Sequence, residues 1–378
     1  MLKTIESTPE NTLNNNTDIN LTEVASQSPS SLHEPPTERK IKRLLIVTDA
    51  WQPQVNGVVR TLGNTRANLQ ASGVQVEMLT PLSFKTLPCP SYPEIRLSLT
   101  SARRVQAMIE QIDPDALHIA TEGPLGWAAR RVARRQGWAF TTAYHTRFPE
   151  YVKARIGVPL DWSYALLRRF HGASSAVLAP TPAIVKDLQD RGFHHVVHWS
   201  RGVAHDIFYP RMQQEPPRKD NPVFLYAGRL AIEKNVEAFL KLDLPGQKWV
   251  AGEGPMAEGL KRQYPNARYI GVIPQEELAK LYSQADVFVF PSLTDTFGLV
   301  MVEAMACGLP VAAYPVAGPI DVVGDSGAGV LHDDLKQACL ACLNIDRSAA
   351  IHRAAQFTWP LATQQFYDAL TPMRRCSA

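Results

Sequence analysis

Cysteine is scarce in this chain: Cys89, Cys307, Cys339, Cys342 and Cys376 are scattered and odd in number. That argues against a disulfide framework of the kind small secreted domains use. Cys339 and Cys342 form a C-x-x-C in 338-ACLACL-343, but no second Cys or His pair completes a zinc set. Their i, i+3 spacing puts both on one buried helix face instead. Net charge is small as well, +3 over 378 residues, so no nucleic acid is expected as a partner and any electrostatic case rests on local clusters. No uncharged apolar run is long enough to span a bilayer. The start of the chain has neither a secretory h-region nor an Arg-rich transit pattern, so the expected location is the cytoplasm. Finally, no full G-x-G-x-x-G follows the first strand, which makes a nicotinamide-dependent dehydrogenase a poor reading.

What is present is ordinary globular material, 45% apolar and 20% charged, with length enough for two cores. Residues 1–40, rich in Asn, Ser, Thr, Pro and Glu, read as a disordered tail. From 43-RLLIVTD-49 onward, apolar β-branched runs alternate with helical patterns. Such alternation predicts an α/β fold with parallel sheets buried on both faces. It pauses at the Pro-rich, charged 206-DIFYPRMQQEPPRKDNP-222 and restarts at 223-VFLYAG-228. The expected organisation is a first Rossmann-like domain over 41–205, a linker over 206–221 and a second Rossmann-like domain over 222–355. A helical segment, 356–378, is expected to return to the first domain, and a deep cleft to lie between strand C-termini.

Four stretches carry candidate chemistry. In 227-AGRLAIEKN-235, Arg229 and Lys234 flank a strand-to-helix turn. Two cations and free amides there can hold a phosphate, and so can a merely solvated helix start carry them; spacing leaves both open. In 292-SLTDTFGLVMVEAMACG-308, Asp295 and Glu303 stand eight positions apart. A helix beginning near Thr296–Gly298, capped by Thr294, Asp295 or Thr296, would aim the amides of Thr296, Phe297, Gly298 and Leu299 at the cleft. Eight helical steps would leave the two acids within roughly 80° of one face. In 54-QVNGVVRTL-62, Asn56 and Gly57 bring backbone near the cleft. His145 ends a strand in 142-TAYHTRFPEY-151, and a lone His is as readily structural as functional.

Together these motifs resemble the retaining glycosyltransferases of family 4, whose two-domain architecture is called GT-B. The resemblance runs from Ile41 to the C-terminus. It is carried by 228-GRLAIEKN-235, 251-AGEGP-255, 271-GVIPQEELAKLYSQADVFVFPS-292 and 295-DTFGLVMVEAMACGLPV-311, with 49-DAWQPQVNGVVRTL-62, 144-YHTRFPEY-151 and 199-WSRGV-203 in the first half. It looks most like the subgroup of lipid-directed mannosyl-, glucosyl- and sulfoquinovosyl-transferases. The resemblance implies that Arg229 and Lys234 hold a donor diphosphate and Glu303 the nucleotide ribose. It implies that Asp295 meets sugar hydroxyls and that His145 lies near the anomeric centre. Asn56, Gly57, Gly252, Gly271, Val272 and the amides of 296-TFGL-299 complete the implied donor site. No metal and no cofactor is expected, the nucleotide-sugar being a substrate. Two departures stand out: Asp295 replaces the usual Glu, and 202-GVAH-205 stands where the family often has Gly-Val-Asp. The shorter Asp predicts altered reach or donor preference rather than inactivity.

Asp113-Pro-Asp115 spells D-x-D but falls between a helix and a strand, where it reads as a turn. The expected acceptor is a membrane lipid or lipid-linked glycan. Arg130, Arg131, Arg134 and Arg135, flanked by Trp127 and Trp138, suggest a face for an anionic leaflet. A second patch, 151–170, adds Lys153, Arg155, Arg168 and Arg169. The expected place is peripheral, on the cytoplasmic face of the inner membrane. The competing readings are a transferase with a soluble acceptor, a phosphorylase, a binding protein that has lost catalysis, and a glycoside hydrolase. The last is weak, because its two carboxyls must flank one glycosidic bond.

Overall fold

The computed structural model describes residues 41–54, 56–89, 92–211 and 220–373. The tail over 1–40, residues 212–219 of the linker, the Arg155 side chain and Cys376 lie outside the described residues. The first half runs β1 (Arg43–Val47), α1 (Gly57–Ala71), β2 (Gln75–Leu79), β3 (Lys85–Cys89) and β4 (Tyr92–Leu99). It continues with α2 (Ala102–Ile112), β5 (Ala116–Ile119), α3 (Pro124–Gln136), β6 (Thr141–Ala143) and α4 (Phe148–Ile156). Then come α5 (Leu160–His171), β7 (Ala176–Ala179), α6 (Pro182–Asp190) and β8 (Val196–His198). Six of these strands form a sheet in the order β2-β1-β5-β6-β7-β8, every pair parallel. The β3–β4 hairpin stands apart as an antiparallel pair.

The second half runs β9 (Val223–Ala227), α7 (Val236–Leu240), β10 (Gln247–Ala251), α8 (Ala257–Gln263) and β11 (Arg268–Gly271). Next are α9 (Gln275–Gln284), β12 (Val287–Phe290), α10 (Leu299–Ala306), β13 (Val311–Ala313) and α11 (Ala317–Val322). The chain ends with β14 (Gly329–Leu331), α12 (Leu335–Cys342), α13 (Arg347–Ala354) and α14 (Trp359–Ala369). The second sheet has the order β11-β10-β9-β12-β13-β14, again parallel throughout.

The reason for parallel sheets is visible in β1. Leu44, Leu45, Ile46 and Val47 are consecutive, so they point alternately to opposite faces, yet all are 0% exposed. Helices must therefore cover both faces. At about 1.5–3 kcal/mol for each such side chain, one strand commits several kcal/mol to that arrangement. Helix α14 belongs spatially to the first sheet: Phe366 and Leu370 share a core with Ile41, Leu44 and Trp199. Its Gln365 accepts the Ser200 amide at 2.8 Å.

Each sheet reverses its strand order once, between β1 and β5 and between β9 and β12. Ligands of open parallel sheets bind beyond the strand C-termini at such points. The segments after β1, β9 and β12 are those bearing Asn56–Gly57, Arg229–Lys234 and Asp295–Glu303. Topology thus places these three segments beyond the strand C-termini at the switch points of their own sheets.

Candidate active site

The turn after β9 is tied to its neighbours. Gly228 donates its amide to the Ala251 carbonyl at 2.9 Å, and Gly252 donates to the Gly271 carbonyl at 2.7 Å. Gly252 has φ of +130°, and a Cβ there would sit 2.0 Å from the Gly228 carbonyl oxygen. Glycine is required there by close approach of backbone to backbone. Gly252 and Gly271 therefore shape the Gly228–Arg229 turn, while Val272 is largely exposed beside them. The Tyr226 hydroxyl donates to the Arg229 carbonyl at 2.8 Å and fixes the next step of the turn.

Lys234 closes a short 3₁₀ turn, Ile232–Lys234, and its Nζ is bonded to Asp295 Oδ1. Burial works against the ammonium, but Asp295 and the nearby Tyr151 hold it well above the usual lysine range. The loop carrying Asp295 is stapled to this turn. Asn235 Nδ2 donates to the Pro291 carbonyl at 3.1 Å, and the Thr294 hydroxyl donates to the Glu233 carbonyl at 3.3 Å. From the other half, the His145 carbonyl accepts the Thr296 hydroxyl at 2.7 Å.

Helix α10 starts later than its sequence suggests. Its N-cap is Gly298, at φ +84°, with no side-chain cap, and not Thr294, Asp295 or Thr296. A Cβ on Gly298 would stand 2.8 Å from both Met301 Cε and Phe290 Cζ, so close packing sets the break. Asp295 consequently lies in the loop, and the helical-wheel relation to Glu303 does not apply. The Phe297 ring is buried against Phe357, leaving only its backbone for any ligand. Leu299 faces Gly57, whose Cβ would lie 3.6 Å from Leu299 Cδ1.

Glu303 sits on α10, 2% exposed, and its Oε1 is bonded to Arg60 of α1. Burial raises its pKa and Arg60 opposes the rise. The two acids share one feature. Asp295 Oδ2 and Glu303 Oε2 are buried and, among the described residues, have no hydrogen-bond partner. Each carboxylate is thus anchored by one oxygen and open at the other.

His145 follows β6. Its Nδ1 lies 3.4 Å from Arg201 Nη2, while Nε2 is buried and has no partner among the described residues. Burial, with Arg201 adding to it, depresses the imidazole pKa well below the ordinary value. The ring is therefore neutral, and an acceptor at Nδ1 puts the proton on Nε2, which faces no acceptor among the described residues. Arg201 itself stacks over Trp199 at 4.1 Å, and burial pushes its guanidinium down to about 9. Asn56 has a local job: its Oδ1 accepts the Val59 amide at 3.0 Å and caps α1.

Arg60, Tyr151 and Arg201 were not singled out by the sequence. Tyr151, on α4, is hydrogen-bonded to Thr294 and lies in the field of Lys234, Asp295 and Glu233, and burial pushes its phenol up to about 12. Both Arg60 and Tyr151 lie within quoted motifs. The i, i+3 spacing from Gly57 was the available signal for Arg60.

The arginine face on α3 is not continuous. Arg130 turns inward, 6% exposed, and its Nε donates to the Phe170 carbonyl at 2.7 Å. Trp127 packs on Phe170 at 5.0 Å, and Trp138 joins the same core. Only Arg131, Arg134 and Arg135 face outward. Asp113 caps α2 at φ +56°, and Asp115 accepts the Lys42 and Arg43 amides, so D-x-D is a structural turn. Cys339 and Cys342 are both buried on α12.

Residues 55–207 match the model of Glycosyltransferase Family 4, and residues 210–341 that of Glycosyl transferases group 1. Two six-stranded parallel sheets, each reversing once, are the GT-B architecture. The chain belongs to the family 4 glycosyltransferases and is a hexosyltransferase of that family. It is similar to a sulfoquinovosyl transferase of Arabidopsis thaliana, 29% identical over 66% of this chain and 52% of the plant protein. Against that relative the chain spans about half the length. It is 28% identical to a GDP-mannose-dependent alpha-mannosyltransferase of Corynebacterium glutamicum, over 77% of this chain and 76% of that protein. An alpha-monoglucosyldiacylglycerol synthase of Streptococcus pneumoniae is 24% identical over 86% of the chain and 83% of its own. Among solved structures, sucrose-phosphate synthase of Thermosynechococcus elongatus superposes with a TM-score of 0.67 at 22% identity, covering 86% of this chain and 97% of that one. This last likeness shows the fold.

Proposed function

We propose that the protein transfers a hexose, with retention of anomeric configuration, from GDP-mannose or a UDP-sugar to a membrane lipid or lipid-linked glycan. The observation that carries this reading is the pair of half-anchored carboxylates. An unsatisfied buried acceptor costs about 1–3 kcal/mol, and a nucleotide-sugar has hydroxyls at both ends to relieve that cost. Glu303 Oε2 takes a ribose hydroxyl and Asp295 Oδ2 a sugar hydroxyl. Between them, the amides at the uncapped start of α10, with Arg229 and Lys234, receive the diphosphate. Lys234 must exchange Asp295 for phosphate, or share itself between them.

When the glycosyl–phosphate bond breaks, negative charge grows on the leaving diphosphate. Fixed cations and helix amides then stabilise the transition state more than the ground state. In this reading protein cations do that work and no metal is required. Neutral His145 supplies an Nε2–H donor to the sugar and does not transfer a proton.

The relative named for diacylglycerol chemistry supports a lipid acceptor. No described helix is long and apolar enough to cross a membrane. Helix α5 offers a peripheral surface: Trp162 is 75% and Leu166 52% exposed, one turn apart, and Phe148 on α4 is 53% exposed. Lys153 and Arg169 are exposed on the same two helices. Such a surface fits the cytoplasmic face of an anionic membrane. The test is transfer from GDP-mannose, UDP-glucose and related donors to diacylglycerol vesicles, with and without chelator. Glycolipid formation that survives chelation supports the reading. Transfer only to soluble acceptors would refute the lipid assignment, and loss with chelator the metal-free one.

A further inference from the structure

Arg60 lies in the half of the chain opposite Glu303, yet meets it directly. Its Nη2 is bonded to Glu303 Oε1, 243 positions away. With its amide oxygen turned toward α1, Gln275 accepts from Arg60 Nε at 3.3 Å, so the guanidinium is held on two sides. One turn earlier, Gly57 faces Leu299 at the start of α10, where an added Cβ would lie 3.6 Å from Leu299 Cδ1. The first turn of α1 and α10 therefore meet across the two halves of the chain.

We propose that Arg60 is a positioning residue for the donor nucleotide, holding Glu303 as an oriented carboxylate with Oε2 presented to the ribose diol. The inference rests on the ribose role given to Glu303 above. The geometry supplies the reason. Glu303 is 2% exposed, and a lone buried carboxylate protonates or turns away. The other titratable groups in its field are Tyr282 on α9 and Cys307 at the end of α10, both driven upward by burial and hence neutral. Arg60 is the cation in that field. Because Arg60 arrives from the other domain, closure and nucleotide grip become one event: the cleft must close for Glu303 to bind the diol well.

The test is calorimetric binding of GDP, UDP and their 2′-deoxy forms to the full chain, comparing wild type with Arg60→Gln, Arg60→Lys and Glu303→Gln. Wild type should favour the ribonucleotide over its deoxy form. Glu303→Gln should erase that preference. Arg60→Gln should weaken the ribonucleotide about tenfold or more and the deoxy form little, so that the ratio approaches one. Arg60→Lys, which keeps the charge, should restore part of it. A general loss of fold would weaken both forms alike and would not change their ratio. If Arg60→Gln keeps the wild-type ratio while Glu303→Gln erases it, Arg60 has no such role and the ribose assignment stands. If Glu303→Gln itself keeps the ratio, the ribose assignment fails and this inference with it.

Discussion

Lys234 and Asp295 are bonded to each other across 61 positions of sequence, joining the segment after β9 to the segment after β12 at the point where the second sheet reverses. The same Asp295 keeps its Oδ2 buried and unpartnered. A cation paired with a carboxylate, beside a carboxylate oxygen without a partner among the described residues, fits the proposed donor, which bears both negative charge and hydroxyls.

Removing that carboxylate should therefore cost turnover. Asp295→Ala should lower kcat about a hundredfold, the scale of losing one aimed polar group at a transition state. Asp295→Glu should fall less and should change which donor is preferred, since the added methylene alters reach. Initial rates with two donors separate these outcomes. Unchanged turnover in the alanine variant would remove Asp295 from the site.

His145 should stay neutral throughout the working range. Its depressed pKa leaves no ionisation near 6.5 to be seen in the kcat profile. Histidine ring signals followed by NMR between pH 5.5 and 8 should show buried imidazoles that do not titrate, His118 and His145 among them, and one of these should be absent from His145→Ala. A titration midpoint near 6.5 assigned to His145 would contradict the hydrogen-bond-donor role.

Acid should destabilise the fold before the carboxylates titrate. Burial lowers His118 from 6.5 to about 3 and lowers His145 as well. In the unfolded chain these groups take up protons near 6.5, while folded they do not. Their contribution is thus present above 6.5 and is lost as pH falls below it. Each group adds a slope of at most ~1.4 kcal/mol per pH unit. Urea unfolding at pH 7.5 and 5.0 checks this; His118→Gln should be less sensitive to the drop.

Membrane attachment should depend on α5 more than on α3. Trp162→Ser with Leu166→Ser should reduce sedimentation with anionic vesicles severalfold, and salt should release wild type. Arg130→Gln should instead lower stability, because its guanidinium braces the Phe170 carbonyl. Equal vesicle binding by the α5 double variant would exclude that surface.

The sequence displayed the sheets because parallel strands are apolar on both faces, as in 44-LLIV-47 and 287-VFVF-290. It concealed the β3–β4 hairpin, where Pro88 and Pro93 interrupt the pattern. Helices α4 and α5 were read only as a basic, aromatic patch. The four arginines on α3 form one face by charge alone; by helical position Arg130 shares its side with Gly126, Ala129 and Ala133, all buried. Among candidate site residues, those on strand ends were legible, since the switch points follow from alternation. Arg60 and Tyr151 were not, because each matters through a partner in the other half of the chain.

The most direct measurement is hexose transfer from GDP-mannose and UDP-glucose to diacylglycerol-containing vesicles, with released nucleotide counted against glycolipid formed. The expected result is one favoured donor, nucleotide and glycolipid in equal amounts, and loss of both in Asp295→Ala. Nucleotide release from neither donor above the level of that variant would contradict a donor site built on Asp295 and Glu303.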